Sequence, residues 1–202
     1  MSFEPSKWTQ IITADPGHSQ RYIERFEKMA AAGHDLLGEA RTIDAMVPRH
    51  ARILDAGCGP GRHGGHLTSL GHTVVGVDGD PTLIEAARAN HPDATWVVSD
   101  LAELDLPARG VAADFDAILC AGNVVGFLAP STRLGVLERF RTHLASDGRA
   151  VIGFGAGRGY EFRDFFTDVA DAGLVLDLAL STWDLRPWRD GDGFLVAICS
   201  RA

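Results

Sequence analysis

Between residues 51 and 171 the chain alternates short apolar runs with segments of helical spacing, and that alternation restricts the fold more than any other feature. The runs are "ARILDAG" (51–57), "TVVGVD" (73–78), "ATWVVS" (94–99), "FDAILCA" (115–121) and "RAVIGFG" (149–155). They are too apolar to be wet on one face, as strands are when helices cover both sides of a sheet. Helices are expected over 62–70, closed by Gly71, and over 81–90, opened by Pro81. Two more are expected over 131–145, begun by Ser131 and closed around Asp147-Gly148, and near 160–171, closed by Gly173. Such repeats predict an α/β fold with a parallel sheet. The ending breaks the rule, because "LVLDLALSTWDL" (174–185) and "GFLVAICSR" (193–201) leave no room for a helix between them. The turn-like "RDGDG" (189–193) makes them an antiparallel pair. The expectation is a Rossmann-like, three-layer α/β/α fold whose seven-stranded, mostly parallel sheet has an antiparallel last strand.

Ahead of the first strand, residues 16–47 read as helix in one or two pieces, with Tyr22, Ile23 and Phe26 and then Leu36, Leu37, Ile43 and Met46 at helical spacing, ended by Pro48. The 202 residues suit a single domain, 1–49 forming a helical cap and 50–202 the core. A net charge of −8 disfavours a nucleic-acid surface, since phosphates reward a basic one. Cys58, Cys120 and Cys199 are odd in number and form no CxxC pair, which reads as reduced thiols. The start "MSFEPSKWTQ" has no apolar core of a secretory signal, and no run approaches the ~18 residues that span a bilayer. A cytoplasmic protein, monomeric or homodimeric, is the expectation.

The chemistry concentrates in "ILDAGCGPGRHGGHL" (53–67), a strand that reaches a carboxylate and then a turn nearly free of side chains. A nucleoside-triphosphate loop needs GxxxxGK[ST], and no lysine occurs after Lys28. A dinucleotide loop needs GxGxxG, which Gly59-Pro60-Gly61-Arg62-His63-Gly64 satisfies literally. A third register, Asp55-x-Gly57-x-Gly59-x-Gly61, suits a ligand with a cationic amine and a carboxylate, such as the methionine end of S-adenosylmethionine. There Asp55 favours the amine, directly or through water, glycine lets the backbone close on the ligand, and the next helix offers free N–H groups to the carboxylate. A diphosphate would be repelled by Asp55. Asp78 ends the second strand, where a carboxylate accepts from both ribose hydroxyls; Asp100 follows the third, where it takes an adenine amino proton. All three acids belong to the carboxyl edge of a parallel sheet, where open α/β folds bind ligands.

On these residues the sequence resembles the class I S-adenosylmethionine-dependent methyltransferases, specifically their small bacterial members without an added substrate domain. "ILDAGCGPG" matches the first motif, "VVGVDGDP" the second, "WVVSDLAEL" the third and "FDAILCAGN" the strand before the acceptor site. The resemblance implies that Gly57, Cys58, Gly59 and Gly61 wrap the methionine part, Asp78 and Gly79 the ribose, and Asp100 and Leu101 the adenine. It further implies that the backbone of Ala121 and Gly122 faces the amine or sulfonium and that Arg41 pairs with the carboxylate. The product would be S-adenosyl-L-homocysteine.

Methyl transfer needs alignment more than acid–base chemistry, so no catalytic residue is compulsory and none is assigned. The [DN]PPY of amide and adenine methylation is replaced here by "CAGNVVGF", which points to a small-molecule acceptor. Asn123 and Phe127 are then expected to face it, with Arg158, Tyr160, Trp183 and Arg186 from later loops and His18 and Tyr22 closing over the top. Two arginines among aromatics suggest a planar or apolar acceptor carrying an anionic group. His63 and His66 lack the further ligands of a metal site, so no metal is expected. Rival readings are a protein or RNA methyltransferase, a dinucleotide-binding oxidoreductase, and a cofactor-binding protein without chemistry.

Overall fold

The computed structural model describes residues 3–202, so positions 1 and 2 of the expected cap lie outside the described residues. Three helices come first: α1 (Lys7–Ala14), α2 (His18–Ala31) and α3 (Gly38–Met46). The expected helical stretch thus splits where Gly33 takes a positive φ of 79°. The sequence reading passed over α1, whose start is capped by Ser6 accepting a bond from the Thr9 N–H.

The alternating region forms β1 (Arg52–Ala56), α4 (Arg62–Ser69), β2 (Thr73–Asp78), α5 (Pro81–Asn90), β3 (Thr95–Val98) and β4 (Phe115–Cys120). Next come a short α6 (Val124–Phe127), α7 (Arg133–His143), β5 (Leu144–Gly155), α8 (Phe162–Asp171), β6 (Leu174–Leu180) and β7 (Phe194–Arg201). Ser131 does not cap α7; its hydroxyl donates to the Glu4 carboxylate at 2.6 Å instead. β6 stops at Leu180, five residues earlier than expected, because Ser181 turns back to donate to the Arg186 carbonyl.

The seven strands lie in the order β3-β2-β1-β4-β5-β7-β6. β1 pairs in parallel with both β2 and β4, and β7 is antiparallel to both β5 and β6. Chain order reverses between β1 and β4, which leaves a crevice at the carboxyl ends of those strands. Strand alternation sorts the core. Leu54, Val75, Val77 and Ile118 pack beneath α7 and α8, while Ile53, Val74, Ala117 and Leu119 pack beneath α3 and α4.

Candidate functional site

The turn after β1 is tied down by its own backbone, Gly57 and Cys58 both donating to the Val77 carbonyl at 2.8 and 3.0 Å. Gly57 and Gly59 take φ of 78° and 55°, a region that side chains resist. A Cβ on Gly57 would sit 2.4 Å from Val124, whereas one on Gly59 would meet only Tyr22, at 3.8 Å. Gly79 and Gly122 are similarly open. The other three glycines of the stretch serve packing. Cβ atoms on Gly61 and Gly64 would press on Trp96 at 2.9 and 2.8 Å, and one on Gly65 would enter the His91 ring.

Asp78 faces a cavity of about 600 Å³ that opens over this turn. One of its carboxylate oxygens accepts from the Gly59 N–H and the other from the Asp80 N–H, both at 2.9 Å. Burial pushes the Asp78 carboxyl up to about 6 despite those bonds. Asp100 caps a one-turn 3-10 helix, Leu101–Glu103, by accepting from the Ala102 N–H at 2.8 Å, and it too lines the cavity. Gly57, Gly59, Gly79, Leu101, Gly122, Asn123, Phe127, Arg158, His18 and Tyr22 complete the expected set that the cavity brings together. Asn123 sits at φ 67° because its side-chain carbonyl reaches across to accept from the Gly155 N–H at 2.8 Å.

The side chains of three expected cofactor residues, Asp55, Cys58 and Ala121, turn away from the cavity, and Gly61 packs on Trp96. The Asp55 carboxylate points down from β1 toward α4 and accepts from the Gly64 N–H at 2.9 Å. Burial raises its carboxyl to about 7, and the side chain does not line the cavity. The Cys58 side chain packs with Ile84, Ala87 and Trp96, Gly61 turns toward Trp96, and the Ala121 methyl joins the core beneath α3, so any part these residues take in the cavity falls to their backbone. Arg41 is exposed and doubly bonded to Asp35 rather than in the lining, and the pair holds the Asp35 carboxyl down at about 2.

Three expected acceptor residues also lie elsewhere. Tyr160 is buried against Phe154 and donates to Asp168 at 2.5 Å, because it sits on the α8 side of the sheet. Trp183 lies flat on Gly153, where any Cβ would stand 2.4 Å from its ring. Arg186 pairs with Asp184 at 3.2 Å on an exposed turn. His63 is buried 3.9 Å from Glu39, and among the described residues no metal-binding cluster forms.

The wall also holds residues that the sequence reading missed. Trp8 meets Phe127, Tyr22 and His18 edge-on, at ring distances of 5.8, 5.2 and 5.1 Å. Trp8, Ile11 and Ile12 after Ser6 have helical spacing, which is the signal that would have found α1. Arg62, directly after the third glycine, lies over the Phe26 ring at 5.0 Å and donates to the Leu36 carbonyl. Glu39 and Asp35 add two carboxylates at that end of the cavity.

Residues 53–148 match the model of a methyltransferase domain. A solved structure, a TehB-like S-adenosylmethionine-dependent methyltransferase from Corynebacterium glutamicum, is 50% identical with a TM-score of 0.89, across 93% of this chain and all of that one. Magnesium-protoporphyrin O-methyltransferase of Rhodobacter capsulatus is 28% identical over 68% of this chain, and trans-aconitate 2-methyltransferase of an Azoarcus strain 32% identical over 41%. The matches span only 60% and 31% of those two curated relatives. This chain belongs to the S-adenosylmethionine-dependent methyltransferases. The cavity fits that family's cofactor: its open glycine positions leave space where side chains would stand, and its four carboxylates beside three arginines suit a ligand that carries cationic groups and a carboxylate.

Proposed function

We propose that the protein transfers the methyl group of S-adenosylmethionine to a small-molecule acceptor by in-line displacement. The observation that carries this reading is the convergence of Asp78, Asp100 and the side-chain-free turn at Gly57 and Gly59 on one cavity. In it Asp78 accepts from the ribose hydroxyls, Gly79 gives the sugar room, and Asp100 with the Leu101 N–H meets the adenine. Glu39 takes the role for the methionine amine expected of Asp55, and Arg62 replaces Arg41 opposite the carboxylate. When bound, the cofactor supplies a methyl group already activated on a sulfonium. The chain's own task is then to exclude water and hold an acceptor in line, a contribution of up to ~7–11 kcal/mol.

Asn123, Phe127, Arg158, His18 and Tyr22 are assigned to the acceptor side of the cavity. The segment up to residue 49 is read as a cap, since side chains of α1, α2 and α3 line one side of the cavity, which favours a small-molecule occupant. Reactions named for the relatives, on a porphyrin and on a tricarboxylate, support that acceptor class. We read the protein as cytoplasmic, monomeric or homodimeric, and independent of nucleic acid; no helix among the described residues is long and apolar enough to cross a membrane. Calorimetry with S-adenosylhomocysteine, followed by a screen of small-molecule extracts with methyl-labelled cofactor, tests the reading. Binding of the product and label in a low-mass acceptor are expected. Label recovered only in protein or RNA, or preferential binding of NAD, would overturn it.

A further inference from the structure

Asp80 caps α5, and one carboxylate oxygen is enough for that: Oδ1 accepts from the Thr82 N–H at 2.9 Å. The second oxygen does something a cap does not require. Oδ2 accepts from the indole Nε1–H of Trp8 at 2.9 Å and from the Ser19 hydroxyl at 2.5 Å. Those donors sit on two different helices, 72 and 61 residues away in sequence, and the carboxylate on which they converge is only 1% exposed. A buried carboxylate binds such donors strongly, because water is not there to replace them. From the other side, the Asp80 N–H donates to Asp78, which in turn accepts from the Gly59 N–H. One line of hydrogen bonds therefore runs from α1 and α2 to the acid and the glycine on the cavity wall.

Trp8 connects this line to the roof of the cavity. Its ring contacts Tyr22 and Phe127, and all three line the same space. The preceding residue fixes α1 at its far side, Lys7 Nζ donating to the carbonyls of Gly126 and Arg158 at 3.2 and 3.0 Å. We propose that Asp80 is a positioning residue that latches α1 and α2 over the cofactor, so that the cofactor leaves only when Trp8 and Ser19 let go of it. The inference rests on the reading that this cavity holds S-adenosylmethionine. Asp80 touches no ligand itself; it acts through Trp8 and through Asp78.

The test uses the full chain with S-adenosylhomocysteine as probe. Trp8→Phe keeps an aromatic ring and removes the indole donor, Ser19→Ala removes the hydroxyl donor, and Asp80→Asn weakens the acceptor of both. Stopped-flow dissociation is expected to be about tenfold faster in Trp8→Phe and in Asp80→Asn, with association rates near wild type. The Trp8→Phe/Asp80→Asn double variant should be no faster than the quicker single variant, since both changes break the same bond. Amide exchange across residues 7–31 in the bound state should rise in parallel. Trp188→Phe serves as control, because that indole packs on Phe162 and Phe166, outside the cavity. If Asp80→Asn fails to fold because its single oxygen cannot serve both the cap and the two side-chain donors, Trp8→Phe and Ser19→Ala decide, since both leave the Asp80 carboxylate and its cap intact. Wild-type dissociation rates in those two variants, or a loss confined to association, would overturn the latch. Failure of the wild-type protein to bind the probe would instead overturn the cofactor reading.

Discussion

At the end of β2, Asp78 accepts two backbone N–H bonds and still presents its carboxylate to the cavity. In the proposed complex ribose hydroxyls donate to the charged form, so binding would lower a carboxyl that burial has raised to about 6. Below that pH a proton must leave before the sugar can bind. Affinity for S-adenosylhomocysteine is therefore expected to hold above about pH 6 and to fall by up to ~tenfold per pH unit beneath it. Calorimetry across pH checks this, and Asp78→Asn should bind weakly with the slope gone. Asp55 gives the opposite kind of prediction, one about stability. Its folded carboxyl is raised to about 7 from the ordinary 3.8 by burial, so the unfolded chain releases the proton first. The group's contribution is complete below about pH 4 and is lost as pH rises through about 7. Asp55→Asn keeps an oxygen for the Gly64 N–H without the buried charge. It should unfold at a higher temperature than wild type at pH 8, by about 2–4 °C for each kcal/mol relieved, and gain little at pH 4.

At the scale of elements, the glycine-rich stretch divides into two functions that the sequence presents as one. Gly57 and Gly59 shape the turn on the cavity, whereas Gly61, Gly64 and Gly65 let α4 settle onto Trp96 and His91. Changing each half should therefore fail differently. Gly59→Ala meets open space but a strained φ, so it should cost about 1 kcal/mol of stability while obstructing the cofactor. Trp96→Ala removes the ring on which Gly61, Gly64 and Gly76 close, and should cost ~3–5 kcal/mol with its main effect on folding. Denaturant titration beside S-adenosylhomocysteine binding separates the two. The first four strands were legible from their apolar runs, and β2 and α5 have the bounds expected from sequence, whereas β5 begins at Leu144, where a helix to 145 and a turn at Asp147-Gly148 were expected. The same period-2 alternation held the answer for Asp55. It shares a strand face with Ile53, which packs toward α3 and α4, so its carboxylate could only point beneath the turn. Asp78 escapes that rule by standing at the strand's end.

Across the whole molecule, the cavity joins the carboxyl edge of the sheet to three N-terminal helices. A ligand that bridges those parts stabilises the folded chain by mass action. S-adenosylhomocysteine at one hundred times its dissociation constant should add ~2.7 kcal/mol, raising the midpoint by about 5–11 °C for a chain of this size. NAD at the same concentration should leave it unchanged, and a thermal-shift assay reads both. Sequence by itself determined the alternation of strands and helices, the antiparallel finish, and the acids at Asp78 and Asp100, because each follows from local periodicity or from where a strand must stop. Tertiary structure decided which long side chains reach the cavity. Arg41 and Arg186 were claimed by neighbouring carboxylates, Tyr160 was drawn into the core beside Phe154, and Trp8 was brought to the roof by Asp80 from 72 residues away. A long side chain goes to whichever partner the packed fold sets within its reach, and that choice is made between segments far apart in the chain.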